Sequence, residues 1–146
     1  MKSELNISKQ FKKTIDKYNI IKVYIASPYT IGDKIENVNR QLDMSHTLLQ
    51  LGFAPYTPLL THFQQIRWQS HEELIMDLDI NYLLVCNAIL RLKPLDKLGI
   101  EIPSKGADLE ESTAKLHKIP VFYNLEDLCK YFNIKLEKIN LAYNNF

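Results

Sequence analysis

A chain of 146 residues, 24% charged and 46% hydrophobic, has the composition of one globular domain with room for a real core. Its formal net charge of +1 gives no electrostatic case for nucleic acid or a membrane surface as partner. No stretch approaches a membrane span and the N-terminus lacks an apolar signal core, so neither membrane insertion nor export is expected. The two cysteines, Cys86 and Cys129, lack metal-ligand spacing; Cys86 lies in an apolar run and reads as a buried thiol, which fits a reducing cytoplasm.

Taken in order, residues 1–19 form a polar helical extension anchored by Leu5, Phe11 and Ile15, with Lys9, Lys12, Lys13 and Lys17 as a solvated face. The domain proper is expected over 20–146. Ile20 to Ala26 is a mostly apolar, β-rich run that suits a strand buried on both faces. It enters the turn Ser27 to Asp33, rich in Gly, Pro and small polar residues. A helix follows over about Ile35 to Leu51, and Gly52 stands where a C-terminal glycine ends it. Phe53 to Tyr56 is a short strand in which Pro55 denies a ladder donor, so an edge position is expected.

Thr57 to Ser70 reads as a loop, His71 to Leu84 as a helix, and Val85 to Leu92 as a third buried strand. The connection Lys93 to Pro103 is longer than most in compact α/β units and so marks a candidate functional loop. A helix from Ala107 ends before Pro120, Ile119 to Tyr123 makes a fourth strand, and Asn124 caps a last helix. This alternation predicts a single-domain α/β fold: a parallel sheet of four to five strands with helices on both faces. Ligands of such sheets sit outside the carboxyl ends of the strands at the switch point. The loops expected there are Ser27–Asp33, Thr57–Ser70 and Lys93–Gly106.

The stretch Ser104 to Ala114 carries the strongest chemical signal. Ser104 and Gly106 precede a helix whose first free N–H groups suit an anion. Glu110 shares a helical stripe with Ala107 and Ala114, which leave room for an inward carboxylate. Glu111 lies four residues before Lys115, the order of an exposed ion pair. The alternative for both is a surface position favoured by the helix dipole. His46, His71 and His117 show no partner spacing for a metal.

With Tyr24 to Asp33, Pro58 to Phe63, Asp79 eight residues before Asn87, Ser104-x-Gly106-x-x-x-Glu110, Ala114 and Pro120-Val121, the chain resembles the nucleoside 2-deoxyribosyltransferase-like superfamily. Within it, the closer resemblance is to a small bacterial and phage group with a "GPYT…GD" opening, related to nucleoside 5′-monophosphate N-glycosidases. It covers roughly residues 20–124. The resemblance implies a flavodoxin-like (Rossmann-like) sheet, a homodimer or larger homo-oligomer, chemistry at an N-glycosidic bond, and neither metal nor organic cofactor.

Position by position, it implies Glu110 as nucleophile, Asp79 as the carboxyl that handles the departing base, and Tyr24 as the hydroxyl that holds the glutamate. The chemistry is coherent, because an oxocarbenium-like state wants one carboxylate at the anomeric carbon and a protonated one at the leaving group. Without the resemblance, Asp79 reads sooner as a surface helix residue and Tyr24 as a core tyrosine whose hydroxyl finds a backbone partner.

The expected substrate contacts are Ser27, Tyr29, Gly32 and Asp33 in the first loop, His62, Phe63 and Trp68 as a base wall, and Ser104 with Gly106. Asp33 reads as well as a helix cap, and the aromatics as packing. The chain departs from its relatives in carrying Asn87 where Asp is frequent, a position that reads as structural, and in a longer Leu92–Ser104 loop. Relatives acting on free nucleosides tend to place an acidic residue at Ser104, whereas the monophosphate glycosidases place serine. A hydroxyl accepts a phosphate that a carboxylate would repel. The expected function is therefore hydrolysis of (deoxy)nucleoside 5′-monophosphates to free base and sugar phosphate. The alternatives are a nucleoside 2-deoxyribosyltransferase and a non-catalytic nucleotide-binding module. The first loop lacks the arginine such hydrolases often present, with Arg67, Arg91 and Lys105 as candidate replacements.

Overall fold

The computed structural model describes residues 20–136; the helical extension expected over 1–19 lies outside the described residues. Four parallel strands form one sheet: β1 (Lys22–Ala26), β2 (Ala54–Tyr56), β3 (Ala88–Arg91) and β4 (Val121–Phe122), in spatial order β2-β1-β3-β4. The helices are α1 (Lys34–Gln50), α2 (Thr61–Arg67), α3 (Glu72–Leu83), α4 (Lys105–Leu116) and α5 (Leu125–Tyr131). The fold is the expected flavodoxin-like α/β arrangement. β2, with Pro55, is an edge strand, and the order reverses between β1 and β3, which makes that crevice the switch point.

Strand alternation divides the core. Val23, Ile25, Ala88 and Leu90 face one side and pack with Leu48, Phe53, Leu128 and Cys129. Tyr24, Ala26 and Ile89 face the other and pack with Leu83, Ala107 and Ala114, beneath α3 and α4. Asn87 extends the central ladder: its N–H donates to the Lys22 carbonyl at 2.8 Å, and its Oδ1 accepts from the Lys22 N–H at 2.8 Å. The helix punctuation is also as expected. Gly52 takes φ +88° after α1, and Asn124 caps α5 by accepting from the Asp127 N–H at 2.8 Å.

Two connections differ from the sequence reading. Thr57–Ser70 is not a plain loop, because a 3-10 turn at Pro58–Leu60 leads directly into α2. Pro58 sits at the start of that turn, and the Thr61 hydroxyl donates back to its carbonyl at 2.7 Å, so the segment winds up where its polar composition suggested irregular chain. The Lys93–Pro103 connection folds on itself. Asp96 Oδ1 accepts from Leu98 and Ile100 N–H groups at 2.8 and 2.9 Å, Leu95 and Glu101 form an antiparallel bridge, and Gly99 turns at φ +77°.

One buried side chain ties the loops at the strand ends together. Gln41 of α1 is fully buried, and its Nε2 donates to the Ile25 carbonyl at 3.1 Å and to Ser27 Oγ at 2.8 Å. Its Oε1 accepts from the Leu59 N–H at 2.8 Å. Gln41→Ala therefore orphans partners in both loops and is expected to cost about 1–3 kcal/mol in urea unfolding at unchanged slope. A loss below about 0.5 kcal/mol would place Gln41 outside the supports of the loops.

Candidate active site

Ser104 opens α4 as its N-cap, with Oγ accepting from the Ala107 N–H at 3.2 Å. Ala107, Glu110 and Ala114 are the buried residues of this helix, the stripe that the spacing predicts. Because the two alanines carry only a methyl group, α4 approaches the sheet closely and Glu110 reaches β1. There the Tyr24 hydroxyl donates to Glu110 Oε1 at 2.7 Å, the length of a strong O–H···O bond.

Asp79 projects from α3 and is also buried. The Tyr56 hydroxyl at the end of β2 donates to its Oδ1 at 3.3 Å. Tyr56 stacks on Tyr82 with ring centroids 4.4 Å apart and lies 5.4 Å from the Tyr24 ring, so the two tyrosines that hold the carboxyls are themselves in ring contact. Burial dominates the electrostatics. It lifts Asp79 to about 7, against the weaker lowering effect of the Tyr56 bond. It lifts Glu110 to about 8; the Tyr24 bond and the Arg91 charge pull down, and Asp79 pushes up. The Tyr24 and Tyr56 hydroxyls are pushed up by burial and by the carboxyls, so both stay protonated donors. Two buried carboxyls, with the charge of Asp79 raising Glu110, titrate as a pair and retain a proton near neutrality.

Both carboxyls open into a cleft of about 1080 Å³ at the carboxyl ends of the strands. Of the residues singled out in the sequence, the cleft brings together Ser27, Tyr29, His62, Asp79, Ser104, Gly106 and Glu110. Tyr24 lies behind Glu110 rather than on the lining. The Tyr29 hydroxyl and His62 Nδ1 are 2.7 Å apart, which joins the first loop to α2. Gly106 packs against Met76 of α3, and a Cβ there would lie 3.1 Å from its terminal methyl.

Four expected contacts fall elsewhere. Gly32 turns the first loop at φ +85°, and Asp33 caps α1 by accepting from Ile35 and Glu36 N–H groups at 2.8 and 3.1 Å. Phe63 and Trp68, 56% and 67% exposed, are not on the lining. In α2 the position next to His62 points away from the cleft, which is what winding the segment into helix does to consecutive residues.

The sequence reading passed over Gln41, Lys34 and Tyr56. Lys34, one residue beyond the first loop, lies on the cleft with Arg67. Tyr56 was visible only as the last residue of a short strand, where an aromatic ordinarily packs. Glu111 is more engaged than an exposed pair. Besides Lys115 at 2.7 Å, its carboxylate accepts from the Tyr123 hydroxyl and lies 3.6 Å from Arg91 Nε, with its side chain only 13% exposed. Cys86 is half-buried in the turn after α3, not a core thiol, and donates to the Tyr82 carbonyl at 3.2 Å. Among the described residues no group of three or more His, Cys, Asp or Glu is placed to hold a metal ion.

The raised carboxyls have a consequence for stability. A carboxyl whose native value lies above its unfolded one stabilises the fold while protonated, and that contribution is lost as pH rises through the native value. Wild-type stability should therefore fall between about pH 5 and pH 9. Glu110→Gln removes one of the groups that must ionise in the interior. It is expected to match wild type near pH 5 and exceed it by about 2–4 kcal/mol at pH 9 in denaturant titrations. Equal stability of the two proteins at both pH values would contradict the buried, elevated carboxyl.

No family model matches the sequence, and no curated protein matches it. Among solved structures the fold is similar to a 2-deoxyribosyltransferase from the psychrotolerant bacterium Bacillus psychrosaccharolyticus, with a TM-score of 0.53 and 18% identity over 68% of this chain and 69% of that one. At that identity the likeness shows a common fold.

Proposed function

We propose that the protein cleaves N-glycosidic bonds of (deoxy)nucleoside 5′-monophosphates, releasing free base and sugar phosphate. The observation that carries this reading is Glu110, buried beside Asp79, held by Tyr24 at 2.7 Å, and open to the cleft. In the proposed sequence the Glu110 carboxylate attacks the anomeric carbon as the carbon–nitrogen bond breaks. The bonding electrons leave with the base, which takes the proton of Asp79. Asp79, now a carboxylate, removes a proton from water, whose oxygen displaces Glu110 from the sugar. Burial leaves Glu110 at about 8 and Asp79 at about 7, so attack requires the proton of the pair to pass from Glu110 to Asp79 as substrate binds; the Tyr24 hydrogen bond and the charge of Arg91 are the contacts that favour the Glu110 carboxylate so formed.

A phosphate-bearing substrate is supported by the two cations of the cleft, Lys34 and Arg67, and by Ser104. Because Ser104 Oγ accepts from the helix, its own hydrogen is free to donate towards a ligand at the helix start. The runner-up is base exchange between deoxynucleosides, supported by the fold it shares with a 2-deoxyribosyltransferase. A non-catalytic nucleotide-binding module is the third reading. Against it stands the cost of burying two carboxyls where binding alone requires neither.

Assembly as a homodimer or larger homo-oligomer, implied by the family resemblance, is supported by apolar side chains left exposed on α2, just beyond it and on α3: Phe63, Ile66, Trp68 and Leu74. Light scattering should give at least twice the 17.1 kDa chain mass at micromolar concentration, and a monomer would count directly against it.

The substrate test compares nucleosides with their 5′-monophosphates and follows free base by chromatography. Wild type should release base faster from monophosphates, and Glu110→Ala from neither. Ser104→Ala should lower monophosphate turnover roughly 10- to 100-fold, the loss of one hydrogen bond to a charged group. Ser104→Asp keeps a competent helix cap but sets a carboxylate against the phosphate, so it should lose more on monophosphates and little on nucleosides. Faster release from free nucleosides, with transfer to an added base, would give the transferase reading; binding without turnover would give the module.

A further inference from the structure

Arg91 closes β3 on the face of the sheet that α4 covers, two residues after Ile89. It is 1% exposed, the largest fully buried side chain among the described residues. A strand residue there for stability alone would be apolar, like Ile89, because burying a guanidinium is costly even when it is paired. Arg91 is not on the cleft lining, so it does not touch a ligand there.

Its Nη2 lies 2.8 Å from Asp108 Oδ1 and its Nε 3.6 Å from Glu111 Oε2. These two carboxylates stand immediately around Glu110 on α4, at two positions before and one after. Nε and Nη1 have no hydrogen-bond partner among the described residues, so the fork is not spent on these pairings alone. Asp108 is 68% exposed and Glu111 already answers to Lys115 and Tyr123. The guanidinium charge is thus only partly neutralised where it is buried against the turn of α4 that carries Glu110.

We infer that Arg91 is a positioning residue for Glu110: by gripping Asp108 and Glu111 it fixes the turn of α4 from which Glu110 projects and sets a buried positive charge against that turn. The groups around Glu110 divide clearly. Tyr24 from β1 donates a hydrogen bond, Asp79 from α3 opposes ionisation, and Arg91 from β3 supports it, in agreement with the direction of its effect on Glu110. On α4 itself, Asp108 and Glu111 oppose ionisation and Lys115 offsets Glu111. Tyr56 from β2 acts on Asp79 instead. This inference rests on Glu110 being the reactive group of the proposed function, but its test reads ionisation directly.

The test is a ¹³C NMR titration of glutamate side-chain carboxyls in the full chain, with the Glu110 signal assigned through Glu110→Gln. In Arg91→Met and Arg91→Gln the Glu110 midpoint should rise by about one pH unit, a roughly tenfold shift of the protonation equilibrium. Arg91→Lys, which keeps the charge and loses the fork, should move it by less than about half as much. In base release the acid limb of the rate profile should move with the midpoint in the neutral variants. An unmoved midpoint in both, with only the plateau rate reduced, would make Arg91 structural and overturn the inference. So would an Arg91→Lys shift as large as the neutral ones. If wild type released no base from any substrate, the proposed function would fail, while the titration would still decide the role of Arg91.

Discussion

Ionising a carboxyl inside a protein is unfavourable, and the hydrogen bond from Tyr24 is the contact that most offsets that cost at Glu110. It spans the two layers of the fold, strand β1 to helix α4, at 2.7 Å between side chains 86 residues apart in sequence. Much of the neighbouring structure serves to hold that distance. Ala107 and Ala114 let the helix approach, Ser104 starts it at the right place, and Arg91 anchors the flanking carboxylates. Desolvation still prevails, so Glu110 sits at about 8 and Asp79 at about 7. Under the proposed function, that cost to the fold serves reactivity rather than stability.

The sheet order explains why the carboxyls meet a cleft at all. Because β1 lies at the centre and the chain leaves it first to β2 and then to β3, the loops that follow these strands diverge and leave a crevice between them. Gln41 and Asn37 of α1 keep the first loop in place. Gln41 joins Ile25, Ser27 and Leu59, and Asn37 Nδ2 donates to the carbonyls of Tyr29 and Ile31 at 3.1 and 2.9 Å. Tyr29 then meets His62 from the second loop. The crevice is therefore framed by buried polar bonds, which give loops defined positions that apolar packing alone would leave adjustable.

What could be read from the chain followed the range of the physics involved. The stripe of Ala107, Glu110 and Ala114 is a local periodicity, and so are the Gly52 and Asn124 helix boundaries and the edge placement of Pro55; each is decided within a few residues. Tyr24 was different. Its place in an apolar strand speaks for the core, and only the family resemblance paired it with Glu110. The Tyr29–His62 and Tyr56–Asp79 pairs depend on how elements distant in sequence pack, so no spacing announces them. Phe63 and Trp68 lie off the lining because aromatic content does not say which way a residue points: the helical winding of α2 turns Phe63 away, and Trp68 follows that helix in extended backbone. Arg91 looked like a possible phosphate ligand at a strand end. Burial on the α4 face instead directs it to Asp108 and Glu111.

The central claim is that Glu110 bonds covalently to the sugar. Acid quenching of the protein after brief mixing with a nucleoside 5′-monophosphate that it turns over, followed by peptide mass spectrometry, tests it most directly. The expected result is the added mass of one sugar phosphate less water on the peptide that carries Glu110, formed no later than free base and absent when Glu110 is replaced. Base release with the added mass on a different residue, or with Glu110→Ala as active as wild type, would contradict it.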